Sequence, residues 1–476
     1  MQAAATVDER TQLRRAVIAS TVGTSIEWYD FFLYSTATGL VFAKLFFPTS
    51  DPAVATLNVL LVYAVGFIAR PIGAAIFGHY GDRIGRKATL IATLLLMGVA
   101  TFLIGFVPGY KSIGGWPAIG IWGAIVLVVL RFVQGVGVGG EWGGSVLLSM
   151  EWGHRGRRGF WASWPQFGVP VGLVLANGAL YIMSKIAGPE GFLTWGWRVP
   201  FYFSILLVAV GLYVRLRVFE TPLFQRLLDE KRIEPAPVGE VIRRNWREIL
   251  QSAFLRTSEQ APFYVFTAYI FIYAVSPGPL KQTRDYILLA LTCAAVVSFI
   301  SIPFFGYLSD VIGRKRVYIG GVLAMGIWGF IYYGLLDTKA APLIFLAILL
   351  SLIPHDAQYG PQAALIAESY TGRLRYSGAS IGYQLASIFA GGPAPIIAAL
   401  LFAGGVIPGT KGIFGAGGIK VTGYHTSVAI AVYIAICAVI SLIAVATVKE
   451  RSKQDISAEY DEVPAAAMPV GAPTRA

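Results

Sequence analysis

Several ionisable side chains lie inside long apolar stretches of this sequence, where a charge is costly and by default marks a functional position. Glu27 and Asp30 are three residues apart in the first stretch and share one helix face. Arg70 and Arg131 lie in the second and fourth stretches. A carboxylate at such a depth can exchange a proton near neutral pH, and a guanidinium can bind a carboxylate through two hydrogen bonds. These residue types predict binding of a proton and an organic anion.

The helical rise places the first of these acids and one arginine at a similar depth. Counted from Arg15, Glu27 lies about 18 Å into the first stretch, and Arg131 lies roughly 18 Å from the start of its own stretch near Ile119. We therefore expect Arg131 to pair with Glu27 or Asp30, so that protonation of the acid releases the arginine for an anionic solute. The alternative is a permanent buried ion pair that holds two helices together.

Further polar residues in the apolar stretches are candidates for the same chemistry. The predicted solute-binding residues are Arg70, Arg131, Gln134, Gln166, Tyr264 and Gln384. The predicted proton-coupling residues are Glu27, Asp30, Glu141, Glu259, His355 and Asp356. Simpler interpretations stay open, because Tyr264 can be a packing residue and Glu259 can pair with Arg256 along one helix. His355, a residue that titrates near neutral pH, can likewise form only a structural hydrogen bond with Asp356.

The composition requires an exterior that faces lipid. Of 476 residues, 56% are hydrophobic and only 13% are charged, whereas soluble domains carry roughly 25% charged residues. The net charge of +12 sits in short clusters between apolar stretches, which excludes a nucleic-acid-binding surface. Cys293 and Cys437 lie inside apolar stretches and are predicted to be packing residues without a disulfide.

The apolar stretches number twelve, and each is close to the roughly 20 residues that a membrane-spanning helix needs. Their approximate centres are residues 28, 67, 98, 134, 173, 206, 262, 296, 327, 355, 390 and 436. Lys and Arg cluster after the second, fourth, eighth, tenth and twelfth stretches, whereas the alternate loops 48–53 and 107–117 are nearly free of them. This asymmetry predicts that both termini are cytoplasmic.

The order of these stretches predicts an all-α membrane protein with twelve transmembrane helices in two pseudo-symmetric six-helix bundles. We divide the chain into a cytoplasmic N-terminal segment (1–15), a first bundle (16–217), a cytoplasmic central loop (218–247), a second bundle (248–448) and a disordered cytoplasmic tail (449–476).

A sequence repeat relates the two predicted bundles. Residues 78–87 read GHYGDRIGRK, and residues 306–315 read GYLSDVIGRK. The fourth stretch ends at Glu151 and the tenth at Glu368, and each acid is followed by a basic loop. This is a second similarity between the two predicted bundles. We predict that Asp82 caps a neighbouring helix and that a gate is formed by Asp82, Arg83, Arg86, Glu151, Asp310, Arg314 and Glu368. Duplicated bundles of this kind place a solute site at their interface near the midplane.

Several motifs together resemble those of one transporter family. They are GTSIEWYDFF (23–32), GFIARPIG (66–73), RFVQGVGVGGEW (131–142), WGWRVP (195–200), ETPLF (220–224) and RYSGASIGYQ (375–384). With the repeated loop, they resemble the metabolite:proton symporter family of the major facilitator superfamily, closest to its shikimate-transporter branch. The resemblance implies transport of dicarboxylates, tricarboxylates, shikimate or zwitterionic osmolytes such as proline and betaine. The tail shows no sustained heptads, which departs from the coiled coil of the osmolyte branch.

The expected function is proton-coupled import of a small organic solute, foremost a carboxylate, across the cell inner membrane by alternating access. A proton symporter for proline or betaine is the alternative. An enzyme or a sensor is disfavoured, because we find no nucleophile or metal constellation and no large soluble domain. We expect no cofactor or metal, no nucleic-acid partner and a functional monomer. The glycine-rich run 135–144 lacks the following Lys of a phosphate loop, so nothing supports drive by ATP.

Overall fold

The computed structural model describes residues 2–48, 52–275, 279–402 and 427–456, and these residues are almost entirely helical. The first bundle contains span 1 (Gln2–Ala37), span 2 (Pro52–Arg83), span 3 (Arg86–Ile104), span 4 (Ile121–Trp152), span 5 (Arg158–Gly191) and span 6 (Arg198–Leu216). A π-helix, Thr38–Phe42, and a short helix, Ala43–Phe46, continue span 1. Residues 49–51 of the loop 48–53 lie outside the described residues.

The second bundle contains three interrupted spans and three continuous ones. Span 7 comprises Thr257–Tyr264, the π-helix Val265–Tyr269 and Ile270–Ala274; span 8 is Arg284–Ile312 and span 9 is Arg314–Asp337. Span 10 comprises Ala341–Leu350 and Leu352–Ala367; span 11 comprises Arg375–Ala386, the π-helix Ser387–Gly391 and Ala394–Phe402; span 12 is Val428–Thr447. The twelve predicted membrane helices are therefore present.

Ten helices in the described part of the chain are long and apolar enough to cross a membrane. Spans 1 and 7 complete the twelve but fall short of that apolar composition. Span 1 carries Glu27 and Asp30, and span 7 carries Glu259. The two least apolar spans are thus the first spans of the two bundles, and both contain predicted proton-coupling residues.

Span 10 breaks at Ser351, which is fully buried. Proline at position 354 has no N–H to donate to the carbonyl of Leu350, so the helical hydrogen-bond ladder cannot continue through this turn. The backbone N–H of Ser351 instead donates to the carbonyl of Ile348 at 3.2 Å. An irregular turn is tolerated at membrane depth because it is surrounded by protein, and it sits directly before His355.

Glycines bring spans 2 and 4 into backbone contact. A Cβ atom at Gly139 would clash with the backbone oxygen of Arg70, and one at Gly135 would clash with that of Gly66. The glycine-rich run 135–144 therefore allows the two helices to approach closely. Between the bundles, span 5 packs on spans 8 and 10, and span 11 packs on spans 2 and 4.

Two segments outside the spans are more ordered than the sequence suggested. The central loop contains the helix Pro222–Asp229, capped by Thr221, and the helix Pro237–Leu255. The latter crosses the predicted 247/248 boundary but has a non-helical residue at Asn245. The first residues of the predicted disordered tail, 449–456, form hydrogen bonds with both bundles. Residues 457–476 lie outside the described residues.

Candidate functional site

Aromatic side chains of the first bundle surround the guanidinium of Arg131 at the centre of the protein. Its Cζ atom lies 4.2 Å from the ring centroid of Tyr34, 4.9 Å from that of Phe31 and 5.2 Å from that of Tyr63. Arg131 is 1% exposed, and its Nη1 donates a short hydrogen bond to Gln134 Oε1. Its Nε and Nη2 atoms have no hydrogen-bond partner among the described residues.

A second arginine shares one aromatic ring with Arg131. The Cζ atom of Arg70 lies 4.5 Å from the Phe67 centroid and 4.7 Å from the Phe31 centroid. Phe31 therefore contacts both guanidinium groups. Tyr264 of span 7 packs on Phe67 at 5.0 Å and lies beside Arg70. The second bundle thus contributes an aromatic ring to this group of residues, which we call the two-arginine site (Arg70, Arg131 and their aromatic neighbours).

The expected ion pair between Arg131 and an acid of span 1 is not present. No carboxylate of the described residues lies within 4.0 Å of Arg131 or Arg70. Asp30 Oδ1 instead accepts a 2.6 Å hydrogen bond from Ser204 Oγ of span 6. Glu27 Oε2 and Asp30 Oδ2 are buried without a hydrogen-bond partner in the same described part of the chain. The rings of Phe31 and Tyr34, rather than the acids of span 1, contact the guanidinium of Arg131.

Glu141 has the buried partner that the sequence did not reveal. Arg215 Nη2 donates a short hydrogen bond to Glu141 Oε1, which also accepts from Ser145 Oγ at 2.9 Å. Thr93 Oγ1 donates to Glu141 Oε2 at 2.9 Å. Arg215 lies in the last turn of span 6, and its guanidinium packs against Gly23 of span 1. Gly23 was the feature of the sequence that could have revealed this contact, because a residue with a Cβ atom would clash there with the guanidinium of Arg215.

A chain of polar side chains runs through the second bundle. Arg256 Nη2 lies 3.1 Å from Glu259 Oε2, which is the helical pairing expected from their spacing. Glu259 Oε1 lies 3.4 Å from His355 Nε2, and His355 Nδ1 lies 2.9 Å from Asp356 Oδ1. Ser301 of span 8 donates a short hydrogen bond to Asp356 Oδ2. The three predicted proton-coupling residues of this bundle are therefore in direct contact.

Two of the three predicted glutamines, Gln166 and Gln384, connect the bundles to one another. Gln166 Oε1 accepts a 2.8 Å hydrogen bond from Trp142 Nε1, and Gln166 Nε2 donates to the carbonyl of Tyr359 at 3.3 Å. Gln384 Nε2 donates to the carbonyl of Val138 at 3.4 Å. The side-chain amides of both residues therefore form hydrogen bonds across the bundle interface in this state. By contrast, two nitrogen atoms of Arg131 have no partner among the described residues.

The repeated loops close one end of the bundle interface. We call this the inner end, because the sequence predicts it to be cytoplasmic. Asp82 accepts hydrogen bonds from the backbone N–H groups of Tyr376 (3.2 Å) and Ser377 (2.8 Å) in the first turn of span 11. Asp310 accepts in the same way from residues 159–160 in the first turn of span 5. Each bundle thus caps a helix of the other, and the cap predicted for Asp82 corresponds to its two hydrogen bonds.

Buried ion pairs surround each cap. Glu151 lies 3.8 Å from Arg86 of its own bundle and 3.5 Å from Arg375 of the other. The second copy has the same arrangement, with the pairs Glu368–Arg314 (3.1 Å) and Glu368–Arg158 (3.4 Å). Arg83 was expected in this network but is exposed and contacts His79 at 3.2 Å instead. It points outward because Asp82 and Arg86 take the inward-facing positions of the turn.

Two further acids of this end were missed by the sequence analysis. Glu220 accepts a 3.0 Å hydrogen bond from the backbone N–H of Lys87, and Glu450 accepts one of 2.9 Å from that of Lys315. They cap spans 3 and 9. Their separation of 230 residues is close to the 228 residues between the two repeated aspartates, and this spacing could have identified them.

The distribution of ion pairs defines the conformation. At the inner end the bundles are held by the buried pairs Glu151–Arg375 and Glu368–Arg158, whose side chains are 0–2% exposed. At the outer end the pair Lys185–Asp285 joins spans 5 and 8, but both side chains are more than half exposed. Solvent weakens an exposed pair, so the structure represents a state closed at the inner end.

Removing the cap at Asp82 should favour opening of the inner end. Asp82→Asn keeps the shape of the side chain but loses two charge-assisted hydrogen bonds and the 3.4 Å pair with Arg86. Each such bond contributes about 1.5–3 kcal/mol. We expect labelling by a thiol reagent at Ser380→Cys to become at least about fivefold faster, because each 1.4 kcal/mol changes an equilibrium about tenfold. Ser380 is buried against Gly143 across the bundle interface.

The labelling is measured on inside-out vesicles after replacement of Cys293 and Cys437 by serine. Asp229→Asn, on the exposed face of the central loop, serves as the matched control and should leave the rate unchanged. An unchanged rate in Asp82→Asn would show that the cap does not hold the inner end closed.

The chain is similar to known transport proteins in sequence and in fold. The sequence profile of the family described as "Sugar (and other) transporter" matches residues 15–247. The inner membrane metabolite transport protein YhjE of Escherichia coli is 39% identical, covering 84% of this chain and 92% of that protein. The shikimate transporter of Escherichia coli is 40% identical, covering 82% and 88%.

The fold is similar to that of a solved transporter of distant sequence. The structure of the proton:xylose symporter XylE bound to 6-bromo-6-deoxy-D-glucose superposes with a TM-score of 0.72. It covers 94% of this chain and 98% of that chain at 16% sequence identity. At this identity the likeness concerns the fold alone, and the fold agrees with the twelve-helix architecture described above.

Proposed function

Because this chain belongs to the metabolite:proton symporter family of the major facilitator superfamily, we propose that it imports a small organic anion together with protons by alternating access. As a member of this family the chain is a metabolite transporter in a membrane and not an enzyme. The proposal concerns its solute, its energy source and the residues that bind both.

The observation that carries the proposal is the state of Arg131. An arginine that is 1% exposed and has two nitrogen atoms without a partner among the described residues is energetically unfavourable. A bound carboxylate would accept from both atoms, because the guanidinium fork matches the two carboxylate oxygens. The hydroxyls of Tyr34 and Tyr63 beside it, which have no hydrogen-bond partner in the described part of the chain, offer further donors. The two-arginine site therefore supports an organic anion as the solute.

The charges of the first bundle support coupling to protons. Glu141 is neutralised by Arg215, which leaves Arg70 and Arg131 to balance two acids of span 1. Glu27 lies within electrostatic range of Glu141 and Arg70, although no ion pair joins it to an arginine among the described residues. When one acid takes up a proton, this part of the bundle gains one uncompensated positive charge. A carboxylate restores neutrality, so proton and anion favour one another's binding without the direct acid–arginine switch expected from the sequence.

A zwitterionic osmolyte is less well supported. Quaternary ammonium groups are bound by aromatic cages through cation–π contacts. Here the faces of Phe31, Phe67 and Tyr34 are already covered by the two guanidinium groups. A second cationic group would be repelled by Arg70 and Arg131. The same geometry that favours an anion therefore disfavours betaine.

The proposed setting is the cell inner membrane, with both termini and the central loop in the cytoplasm. The basic loops at the inner end support this orientation. The proposed division of the chain follows the expected one, with bundles at 16–217 and 248–448 joined by the loop 218–247. The inner-end network of ion pairs would then be the cytoplasmic gate.

The proposal is tested by uptake into proteoliposomes that contain the full-length protein. Labelled shikimate, 2-oxoglutarate, citrate and betaine are supplied with and without an inward proton gradient. We expect accumulation of at least one carboxylate, at least about tenfold above its external level under a gradient of one pH unit or more, and none of betaine. A protonophore should abolish the accumulation. Accumulation of betaine alone, or accumulation that survives the protonophore, would contradict the proposal.

A further inference from the structure

The second bundle holds a histidine whose two ring nitrogens both face carboxylates. His355 Nδ1 lies 2.9 Å from Asp356 Oδ1, and His355 Nε2 lies 3.4 Å from Glu259 Oε1. The ring is 3% exposed and stacks on Phe263, with 4.7 Å between centroids. The imidazole is thus held in one orientation by contacts on both edges and on one face.

This geometry specifies the protonation state of the ring. An ionised carboxylate is only an acceptor, whereas a neutral imidazole has one donor and one acceptor nitrogen. A neutral ring would therefore direct a lone pair at one of its carboxylate neighbours. With both nitrogens protonated, each contact becomes a charge-assisted hydrogen bond. The charges then also sum to zero, because His355 and Arg256 balance Glu259 and Asp356.

Every neighbouring span contributes a polar side chain to the surroundings of this site. Charged and titratable groups from four spans surround His355 and its carboxylates. They are Arg256, which directly precedes span 7, Glu259 of span 7, Tyr318 of span 9, Asp356 and Tyr359 of span 10, and Tyr383 of span 11. The remaining oxygens of the carboxylates are occupied: Glu259 Oε2 accepts from Gln362 at 3.1 Å, and Asp356 Oδ2 accepts from Ser301. The two carboxylates are thereby fixed in position, and the proton on His355 is the exchangeable element of the network.

We propose that the imidazole of His355 is a second proton-binding site of this transporter, occupied while the inner end is closed and emptied when it opens. The proposal rests on the proposed proton symport and adds a site in the bundle opposite Glu27 and Asp30. The proton enters from the outer side and leaves to the inner side, so the ring returns to its neutral form within each cycle.

Loss of the proton acts on a contact between two spans. The Nδ1 contact lies within span 10, whereas the longer Nε2 contact joins span 10 to Glu259 of span 7. A neutral imidazole keeps the shorter contact, with Asp356, and loses the longer contact, with Glu259. Both spans are interrupted near this point, at Ser351 and in the π-helix Val265–Tyr269, so they can separate without unfolding a regular helix.

An aromatic contact connects the site to the first bundle. The ring of Phe263 lies between the imidazole of His355 and the ring of Trp28, whose centroid is 6.3 Å away. Trp28 in turn lies beside the guanidinium of Arg70, at 5.9 Å. Separation of spans 7 and 10 would therefore move a side chain that borders the two-arginine site, which gives the proton on His355 a route to affect solute binding.

The site is tested without any solute by ¹⁵N NMR of the full-length protein labelled at histidine. We expect one of the four histidines to show two protonated nitrogens at pH 8, where an imidazole with the ordinary pKa of about 6.5 is neutral. His355→Gln should remove this signal, whereas His154→Gln, at an exposed position, should leave it. A neutral His355 at pH 8 in the unaltered protein would overturn the proposal and leave the proposed function untouched.

The link to conformation is tested in Asp82→Asn, with opening of the inner end verified by labelling at Ser380→Cys. We expect at least half of the imidazolium signal at pH 8 to be lost in this variant. Glu259→Gln should cause a similar loss in an otherwise unaltered chain, because it removes one of the two carboxylates. An imidazolium that persists in a verified open state would show a permanent structural ion pair and would refute the proposed role. Failure of the uptake experiment would instead contradict proton symport itself.

Discussion

Replacing Arg131 with lysine should lower the initial rate of carboxylate uptake by roughly 100-fold. The ammonium keeps the positive charge but loses the planar fork whose Nε and Nη2 atoms have no partner among the described residues. Truncating one side of a buried charged hydrogen-bonded pair costs about 2–5 kcal/mol, and each 1.4 kcal/mol is about tenfold. The rate is measured in proteoliposomes with the carboxylate that the unaltered protein accumulates best.

A matched substitution separates this effect from the general cost of replacing an arginine. Arg217 is exposed after span 6 and lies over the ring of Tyr213. We expect Arg217→Lys to transport at the unaltered rate and both variants to elute as single species in size-exclusion chromatography. Unchanged uptake in Arg131→Lys would remove the guanidinium from the solute site.

Replacing Glu141 with glutamine should destabilise the whole protein. Arg215 would remain buried at 2% exposure without its carboxylate. Removing one partner of a buried ion pair costs about 3–5 kcal/mol, because the remaining charge is left uncompensated in a low-dielectric interior. We expect the thermal midpoint of the detergent-solubilised protein to fall by roughly 10 °C.

The double variant Glu141→Gln with Arg215→Gln should recover at least half of this loss, since no unpaired charge remains. Glu230→Gln provides the control at an exposed pair with Arg226. Exposed pairs contribute about 0–1 kcal/mol, so its midpoint should change by less than about 3 °C. A double variant that is less stable than Glu141→Gln alone would mean that Glu141 stabilises through its hydroxyl partners rather than through Arg215.

The sequence by itself was sufficient for the architecture. Twelve spans followed from hydropathy because each helix must satisfy its own backbone hydrogen bonds in lipid. The duplicated bundles followed from the two copies of the loop at 78–87 and 306–315. The cap at Asp82 was predicted from the same loop, since a short acidic side chain beside glycines is suited to a helix N-terminus. The pairing of Arg256 with Glu259 followed from helical spacing.

Only the tertiary structure decided which buried charges meet across spans. Similar depth in the membrane suggested Arg131 as the partner of Glu27 or Asp30. However, two side chains at the same depth contact each other only if their helices are adjacent and both side chains face the same space. Helix rotation turns aromatic rings of span 1 toward Arg131, and it brings Arg215 of span 6 to Glu141. Likewise, the break at Ser351 and the packing of spans 7 and 10 bring His355 to Glu259. Rotation and packing depend on residues far apart in the chain, which is why spacing within one helix could not predict these contacts.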